Sequence, residues 1–293
     1  MNAKHTPAAP SMRIGPRVFA WGERTYIMGV VNVSPESFSG DGVARADDAV
    51  ALAHRFAAEG ADLLDVGGQS TRPGANKTEA GFDEITPAEE IARVVPVIER
   101  LRAELPDMPV SIDTYKPAVL EAALAAGAHA LNDIYGLRGN PGLARIAAAA
   151  GIPVAVMHNQ RGRACDDVIA GVLDGLRASL RIAEDAGVPS ERLIVDPGFG
   201  FGWRPEQNIE MLRRLRELRV LGLPLLIGTS RKSTIGGLLG GVAAGERAFG
   251  TAATVALAIA GGADIVRVHD VLPMKQVALV ADAIVRGWPG ERP

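Results

Sequence analysis

The sequence predicts a single-domain α/β fold, a (β/α)8 TIM barrel behind a short N-terminal extension and hairpin, and three observations lead there. Short aliphatic and β-branched runs alternate with longer Ala-, Leu- and Arg-rich stretches, with no low-complexity linker between them. The short runs number eight. Nearly every one ends in a polar or charged residue. Repeated βα units imply a parallel sheet, and eight imply closure into a barrel, which takes about 250 residues. The chain has 293.

In order, residues 1–25 form the extension, with a hairpin over 17–24 that turns at Trp21-Gly22 and closes the N-terminal face of the barrel. The barrel occupies 26–290. Its strands are expected at 26–33, 61–66, 109–113, 129–132, 152–157, 193–195, 224–228 and 264–268. Helices are expected at 46–59, 87–105, 116–126, 166–186, 205–218 and 246–260, where apolar residues recur at helical spacing. Pro87 and Pro205 suit a first helical turn, and Gly60, Gly127 and Gly187 suit the position after a last one. A doubly wound sheet of six or seven strands competes, but it would bind its ligand at one switch point. A barrel instead gathers all its strand ends at one mouth, which fits Asn32, Asp65, Asp113, Asn132 with Asp133, His158, Asp196, Ser230 with Arg231, and Arg267 with His269. Any one of these Asp or Asn residues serves equally as a helix cap; eight strands ending alike do not reduce to caps.

The 31 basic and 34 acidic residues leave a net charge of −3, with 47% hydrophobic and 4% aromatic residues. No nucleic acid and no membrane surface is expected as a partner, so an anionic ligand must be held locally. The single cysteine, Cys165, excludes an internal disulfide and a zinc quartet. The first fifteen residues lack a signal-peptide core, and no run nears the roughly 18 apolar residues of a membrane span. A cytoplasmic enzyme is the expectation.

Four glycine-bearing loops carry the chemistry. Gly228-Thr229-Ser230-Arg231-Lys232-Ser233 follows the seventh strand and opens a helix, placing backbone N–H groups beside two cations, as a phosphate site requires; the GxxxxGK[ST] spacing of a P-loop is absent. Residues 32–42 hold Asn32 and Asp41, hard oxygen donors that suit Mg2+ shared with substrate phosphates. Residues 67–74 read as a flexible lid holding Arg72, and although composition alone also allows an ordinary solvent loop, loops at barrel strand ends are where binding residues concentrate. Residues 196–203 set Phe199, Phe201 and Trp203 between glycines, suited to stacking on a flat ligand, with at least one of the phenylalanines folding back onto the rim. Below them Asp196, with Asp113 and Asn132, matches the donor and acceptor edge of a heterocycle.

From Tyr26 to about Ile284 the chain resembles the dihydropteroate synthases, through IMGVVNVSPESFSGDG, GADLLDVGGQSTRPGA, VSIDTYKP, LNDIYG, VAVMH, LIVDPGFGFG, GTSRKS and RVHDV in the family's order. The resemblance implies a homodimeric (β/α)8 barrel that joins 6-hydroxymethyl-7,8-dihydropterin diphosphate to 4-aminobenzoate with Mg2+, giving 7,8-dihydropteroate and diphosphate in folate synthesis. It implies that Asp113, Asn132, Met157 and Asp196 bind the pterin and that Lys232 and Arg267 bracket it. Asn32, Arg267 and His269 would hold the diphosphate, with Asn32 on the metal. Phe38, Thr71, Arg72, Pro73, Phe201, Lys232 and Ser233 would shape the 4-aminobenzoate site, the target of sulfonamides. The catalytic set is then Lys232, Arg267, Asp113 and Asp196.

Loss of diphosphate leaves a cation delocalised into the pterin, an SN1-like substitution with pterin bound first. The chain departs from the family pattern at Ser39-Gly40-Asp41-Gly42, at Gln69, at Trp203 and at Asn159-Gln160-Arg161-Gly162. Three rivals remain: a non-catalytic pterin-binding paralogue, a methyltetrahydrofolate:corrinoid methyltransferase, and a Schiff-base enzyme using Lys232, the last weakened by that lysine's place on an Arg-Lys loop start instead of inside an apolar strand. The second needs no diphosphate cradle, so GTSRKS and the STRP loop stand against it.

Overall fold

The computed structural model describes residues 11–34, 46–70 and 84–288. Two short antiparallel strands, β1 (Met12–Ile14) and β2 (Arg17–Phe19), precede eight parallel ones. These are β3 (Tyr26–Asn32), β4 (Leu63–Gly67), β5 (Val110–Asp113), β6 (Ala130–Asp133), β7 (Val154–Met157), β8 (Leu193–Asp196), β9 (Leu226–Ile227) and β10 (Ile265–Val268). They pair in the order β8-β7-β6-β5-β4-β3-β10-β9, and a parallel bridge from Val195 to Leu225 brings the two edges together as a barrel. Helices α1 (Ala46–Ala58), α2 (Pro87–Glu104), α3 (Pro117–Ala125), α4 (Gly142–Ala150), α5 (Val168–Asp185), α6 (Pro205–Arg213), α7 (Ser233–Leu238), α8 (Ala248–Ala260) and α9 (Val271–Arg286) surround it.

Local chemistry accounts for the boundaries. Thr86 and Glu89 cap α2 reciprocally, each side chain taking the other's backbone N–H, with Pro87 at the first helical position. Asp167 accepts from Ile169 and Ala170 at the start of α5. The helix expected over 205–218 ends instead at Arg213 and gives way to 3-10 turns, Leu215–Leu221, stopped by Gly222 at φ 68°. The hairpin also lies elsewhere than expected. It turns at Gly15-Pro16, where Gly15 adopts φ 54° and a Cβ would lie 2.4 Å from the His129 ring, whereas Trp21 is buried beneath the barrel.

Alternation along the strands divides the core in two. Outward residues such as Ile27, Leu64, Leu131, Val156, Val195 and Val266 pack against the helices. Inward ones, among them Met28, Leu63, Ala130, Ile194 and Ile265, form a separate cluster with Met12, Ile14, Phe19, Trp21 and Tyr26. The hairpin thus plugs the N-terminal end of the barrel. Phe19 and Tyr26 pack with ring centroids 4.6 Å apart and planes tilted by 46°, and Trp21 meets Tyr26 edge to face at 5.5 Å.

Candidate active site

A strand's side chains alternate between faces, so the residue two further on faces inward again. Two steps from the plug, the inward layer changes character. Leu63 leads to Asp65, Ala130 to Asn132, Ala155 to Met157, Ile194 to Asp196 and Ile265 to Arg267, while Ser111 leads to Asp113. The same parity explains two expected mouth residues that do not reach it. Asp133 faces outward, its carboxylate accepting from the backbone of Tyr135 and Leu137. His158 packs against Gly175 and lies 5.6 Å from Trp203, with Nε2 bonded to Gln160, and burial pushes its pKa down to about 4.

Asp65 organises the layer although it is fully buried. It accepts from Arg267 Nε at 2.6 Å, Ser111 Oγ at 2.6 Å and Asn132 Nδ2 at 2.9 Å. The other arm of the Arg267 fork donates to Asp113 at 2.7 Å. A buried charge is tolerated only when paired and hydrogen-bonded, and this one has three donors. The sequence places Asp65 at a strand end but assigns it no role; its inward parity beside Ser111, Asn132 and Arg267 was the available signal.

Burial raises the Asp113 carboxyl to about 7, with Arg267 opposing, and raises Asp196 to about 6, with the Gly198 N–H, Lys232 and Arg267 opposing. Both therefore exchange protons near neutrality and match the N–H and ring-nitrogen edge of a heterocycle.

Lys232, just before α7, reaches the loop after the adjacent β8 to donate to Phe199 O at 2.5 Å, with its ammonium 4.2 Å from the Phe201 ring centroid. Gly200 adopts φ 81°, and a Cβ there would lie 2.7 Å from Lys232 Cδ, so glycine clears the path of the lysine. Of the three loop aromatics, Phe199 and Trp203 are buried in the outer core, and only Phe201 is half-exposed. Phe199 folds back as expected of one of the phenylalanines, and the expectation that Trp203 is exposed is corrected, because both rings gain more from apolar packing than from facing the mouth.

Arg231, expected beside the anion, instead forms a fork with Asp270 at 2.6 and 3.0 Å and takes φ 57°. Lys232 and Arg267 therefore carry the charge at the mouth from these strand ends. Ser233 is exposed at the start of α7, and the His269 ring bonds Ser230 Oγ at 2.9 Å. The Asn32 amide oxygen stands beside Gly67 at the end of β3, opposite Asp113 Cβ. Phe38, Asp41, Thr71, Arg72 and Pro73 lie outside the described residues.

A parallel barrel with this charged inward layer defines a class, and residues 28–269 match the family described as pterin binding enzyme, to which the chain belongs. Within it the chain groups with the dihydropteroate synthases. It is 45% identical to one from Clostridium beijerinckii, over 94% of this chain and all of that one. A dihydropteroate synthase from Clostridium difficile, solved in the presence of pteroic acid, superposes with a TM-score of 0.84 at 45% identity over 92% and 99% of the two chains. One from Xanthomonas albilineans, solved with 4-aminobenzoic acid, gives 0.86 at 41% identity over 96% and 100%.

Proposed function

We infer that the barrel is a dihydropteroate synthase, a transferase of folate synthesis that joins 6-hydroxymethyl-7,8-dihydropterin diphosphate to 4-aminobenzoate. The observation that carries this is the linked layer of Asp65, Asp113, Asn132 and Arg267, with Asp196 and Lys232 beside it, in a chain of this family. Asp113, Asn132 and Asp196 hold the pterin edge, and Met157 lies under the ring. The C–O bond from the methylene to the diphosphate breaks with its electron pair leaving on oxygen. The amine lone pair forms the C–N bond, and the amine then loses a proton. Arg267 and Lys232 stabilise the departing negative charge. An aromatic amine is already unprotonated at neutral pH, so the site needs alignment and dryness in place of a strong base.

Among the described residues no group of three His, Cys, Asp or Glu forms a metal cage. The lone Asn32 amide oxygen suits a cation whose other ligands are diphosphate oxygens and water, the usual manner of Mg2+. Mg2+ held there would neutralise the leaving diphosphate. Asn32 and His269 face the diphosphate, and Phe38, Thr71, Arg72, Pro73, Phe201 and Ser233 enclose 4-aminobenzoate, the position at which sulfonamides compete. The amine binds after the pterin diphosphate; 4-aminobenzoate binding equally well to the free protein would count against that order.

The enzyme works in the cytoplasm as a homodimer. No helix of the described residues is long and apolar enough to cross a membrane. The outer face of α8 and α9 exposes Leu257, Val280 and Ile284 around a groove floored by Ala252 and Ala256. An apolar face of this kind on a soluble domain calls for a cover, and a second copy of the same face is self-complementary. Ile284→Arg should convert a dimer to monomer in analytical ultracentrifugation. Incubation with the pterin diphosphate, 4-aminobenzoate and Mg2+ should yield dihydropteroate and diphosphate. Pterin binding without product would leave the non-catalytic paralogue instead.

A further inference from the structure

The sheet stops short where the charges begin. Strand β9 pairs with β10 only at Leu226 with Ile265 and Ile227 with Val266, whereas β10 and β3 stay paired as far as Val268 and Gly29. The ladder between β9 and β10 has thus ended before residues 228–233, which carry Lys232, and residues 267–270, which carry Arg267 and His269. Two side-chain links take its place. Ser230 Oγ accepts from the His269 backbone N–H at 3.2 Å and bonds the ring Nδ1 at 2.9 Å. One residue further on, Arg231 and Asp270 form their fork, both side chains largely buried. Adjacent residues of one loop grip adjacent residues of the next.

Neither partner of the fork serves its ordinary use. Asp270 stands at the N-cap of α9, where an aspartate usually takes a backbone N–H, yet its carboxylate caps nothing. Arg231 takes φ 57°, a conformation that a residue with a side chain rarely adopts unless its surroundings hold it there. Here they do. Its N–H donates to Thr251 Oγ1 at 3.1 Å, and its carbonyl accepts from Arg247 Nη1 at 2.9 Å. Held on the α8 side through its backbone and on the β10 side through its side chain, Arg231 sets where the next residue, Lys232, leaves the chain. Lys232 and Arg267 both act on the Asp196 carboxyl, so the two cations share one corner of the mouth and repel each other.

We propose that Arg231 and Asp270 are positioning residues for the leaving diphosphate: their fork, beside the Ser230–His269 link, holds Lys232 at a fixed distance from Arg267 and His269 so that the three meet the departing charge together. The proposal rests on the reaction proposed above. Neither residue touches the ligand. Charges fixed in advance stabilise a departing anion without having to reorganise, and a misplacement of about 1 Å can cost about 10²-fold in rate.

The test measures, by calorimetry with Mg2+ and without amine, the affinity for 6-hydroxymethyl-7,8-dihydropterin diphosphate and for the same pterin as its alcohol. The proteins are the wild type, Asp270→Asn, Arg231→Gly and the double variant Arg231→Gln/Asp270→Asn. Glycine accepts the positive φ at no cost, so Arg231→Gly removes the fork while leaving the backbone its conformation. In each variant the affinity for the diphosphate should fall about tenfold, within the loss that a misplacement of about 1 Å causes, and kcat should fall with it. The affinity for the alcohol should stay within about twofold, the scatter of surface substitutions. Charge alone predicts the opposite sign for Asp270→Asn, since neutralising a carboxylate and releasing a guanidinium beside the mouth would tighten the binding of an anion. The double variant should lose no more than either single one, because each breaks the same link. Diphosphate binding that is unchanged or tighter, an equal loss for alcohol and diphosphate, or additive losses in the double variant would overturn the proposal. So would failure of all three variants to fold, which would make the fork a support of the barrel. Absence of product from the wild type is a separate result that would remove the proposed reaction, and the binding comparison does not depend on turnover.

Discussion

The two ends of the barrel are built from the same inward positions two residues apart, yet one end is a sealed apolar plug and the other a charged, hydrogen-bonded mouth. Below, Leu63, Ala130, Ile194 and Ile265 meet Phe19, Trp21 and Tyr26. Above, Asp65, Asn132, Asp196 and Arg267 face one another. Burial at the bottom stabilises the fold outright. At the top the same burial raises Asp113 and Asp196 and holds Arg267 between two carboxylates, so stability is given up for groups poised to meet a ligand. The contrast shows how one fold separates folding energy from function along each strand.

Substitutions at the two ends should part cleanly. Phe19→Ala should remove about 3–5 kcal/mol of stability, the usual loss for a buried aromatic, while kcat at low temperature stays near normal. Chemical denaturation alongside steady-state assay checks this; a large loss of kcat with stability retained would show that the plug shapes the mouth. Lys232→Ala should do the reverse. Removing a preorganised donor to a developing charge lowers rate by about 10²–10³-fold, and the melting temperature should hardly move. Near-normal turnover would remove Lys232 from the catalytic set.

Much of this division was legible in the sequence. Eight runs with polar ends implied the barrel, and Asp113, Asn132, Asp196, Lys232 and Arg267 come together as the motifs implied. What escaped the sequence was mostly direction and competition. Asp133 and His158 are neighbours of true mouth residues but one step out of phase, so they face the helices. Arg231 has the right address, yet Asp270 claims its guanidinium, a long-range pairing that local spacing does not encode. Trp203 lies in a glycine loop that composition reads as exposed, while the apolar outer core takes it in together with Phe199, one of the two phenylalanines of which a fold-back was expected. Asp65 went unassigned because a buried carboxylate with three donors looks, in one dimension, like any strand-end aspartate.

Asp65 offers a finer cut between the ends, since it touches no expected ligand position but orients two residues that do. Asp65→Asn keeps the shape and replaces one acceptor with a donor; with the amide nitrogen in place of Oδ2, both Arg267 Nε and Asn132 Nδ2 lose their acceptor, and in place of Oδ1, Ser111 Oγ loses its own. Losing a buried, charge-assisted hydrogen bond costs about 1.5–3 kcal/mol. The kcat/KM for the pterin diphosphate should therefore fall at least about tenfold, with the KM for 4-aminobenzoate little changed. A variant that raises both KM values together would make Asp65 a general support for the barrel.

The smallest effect expected is a titration. Burial raises the carboxyl of Asp113 to about 7 and that of Asp196 to about 6 in the folded protein, from an ordinary 3.8. A raised carboxyl binds its proton more tightly folded than unfolded, so these groups favour folding below about pH 4 and lose that contribution as pH climbs toward 7. Ligand binding should run the opposite way. The pterin edge donates N–H groups, which need ionised acceptors, so affinity for 6-hydroxymethylpterin should weaken as pH falls through about 7 and again through about 6. Each step is bounded at tenfold per pH unit. Using the alcohol keeps the titration of a diphosphate out of the measurement. Calorimetry from pH 8 to 5.5 should show the two steps in the wild type, and Asp196→Asn should retain only the upper one. A flat profile would mean that both carboxyls stay charged in the complex, and the mouth would then differ from the plug by polarity alone.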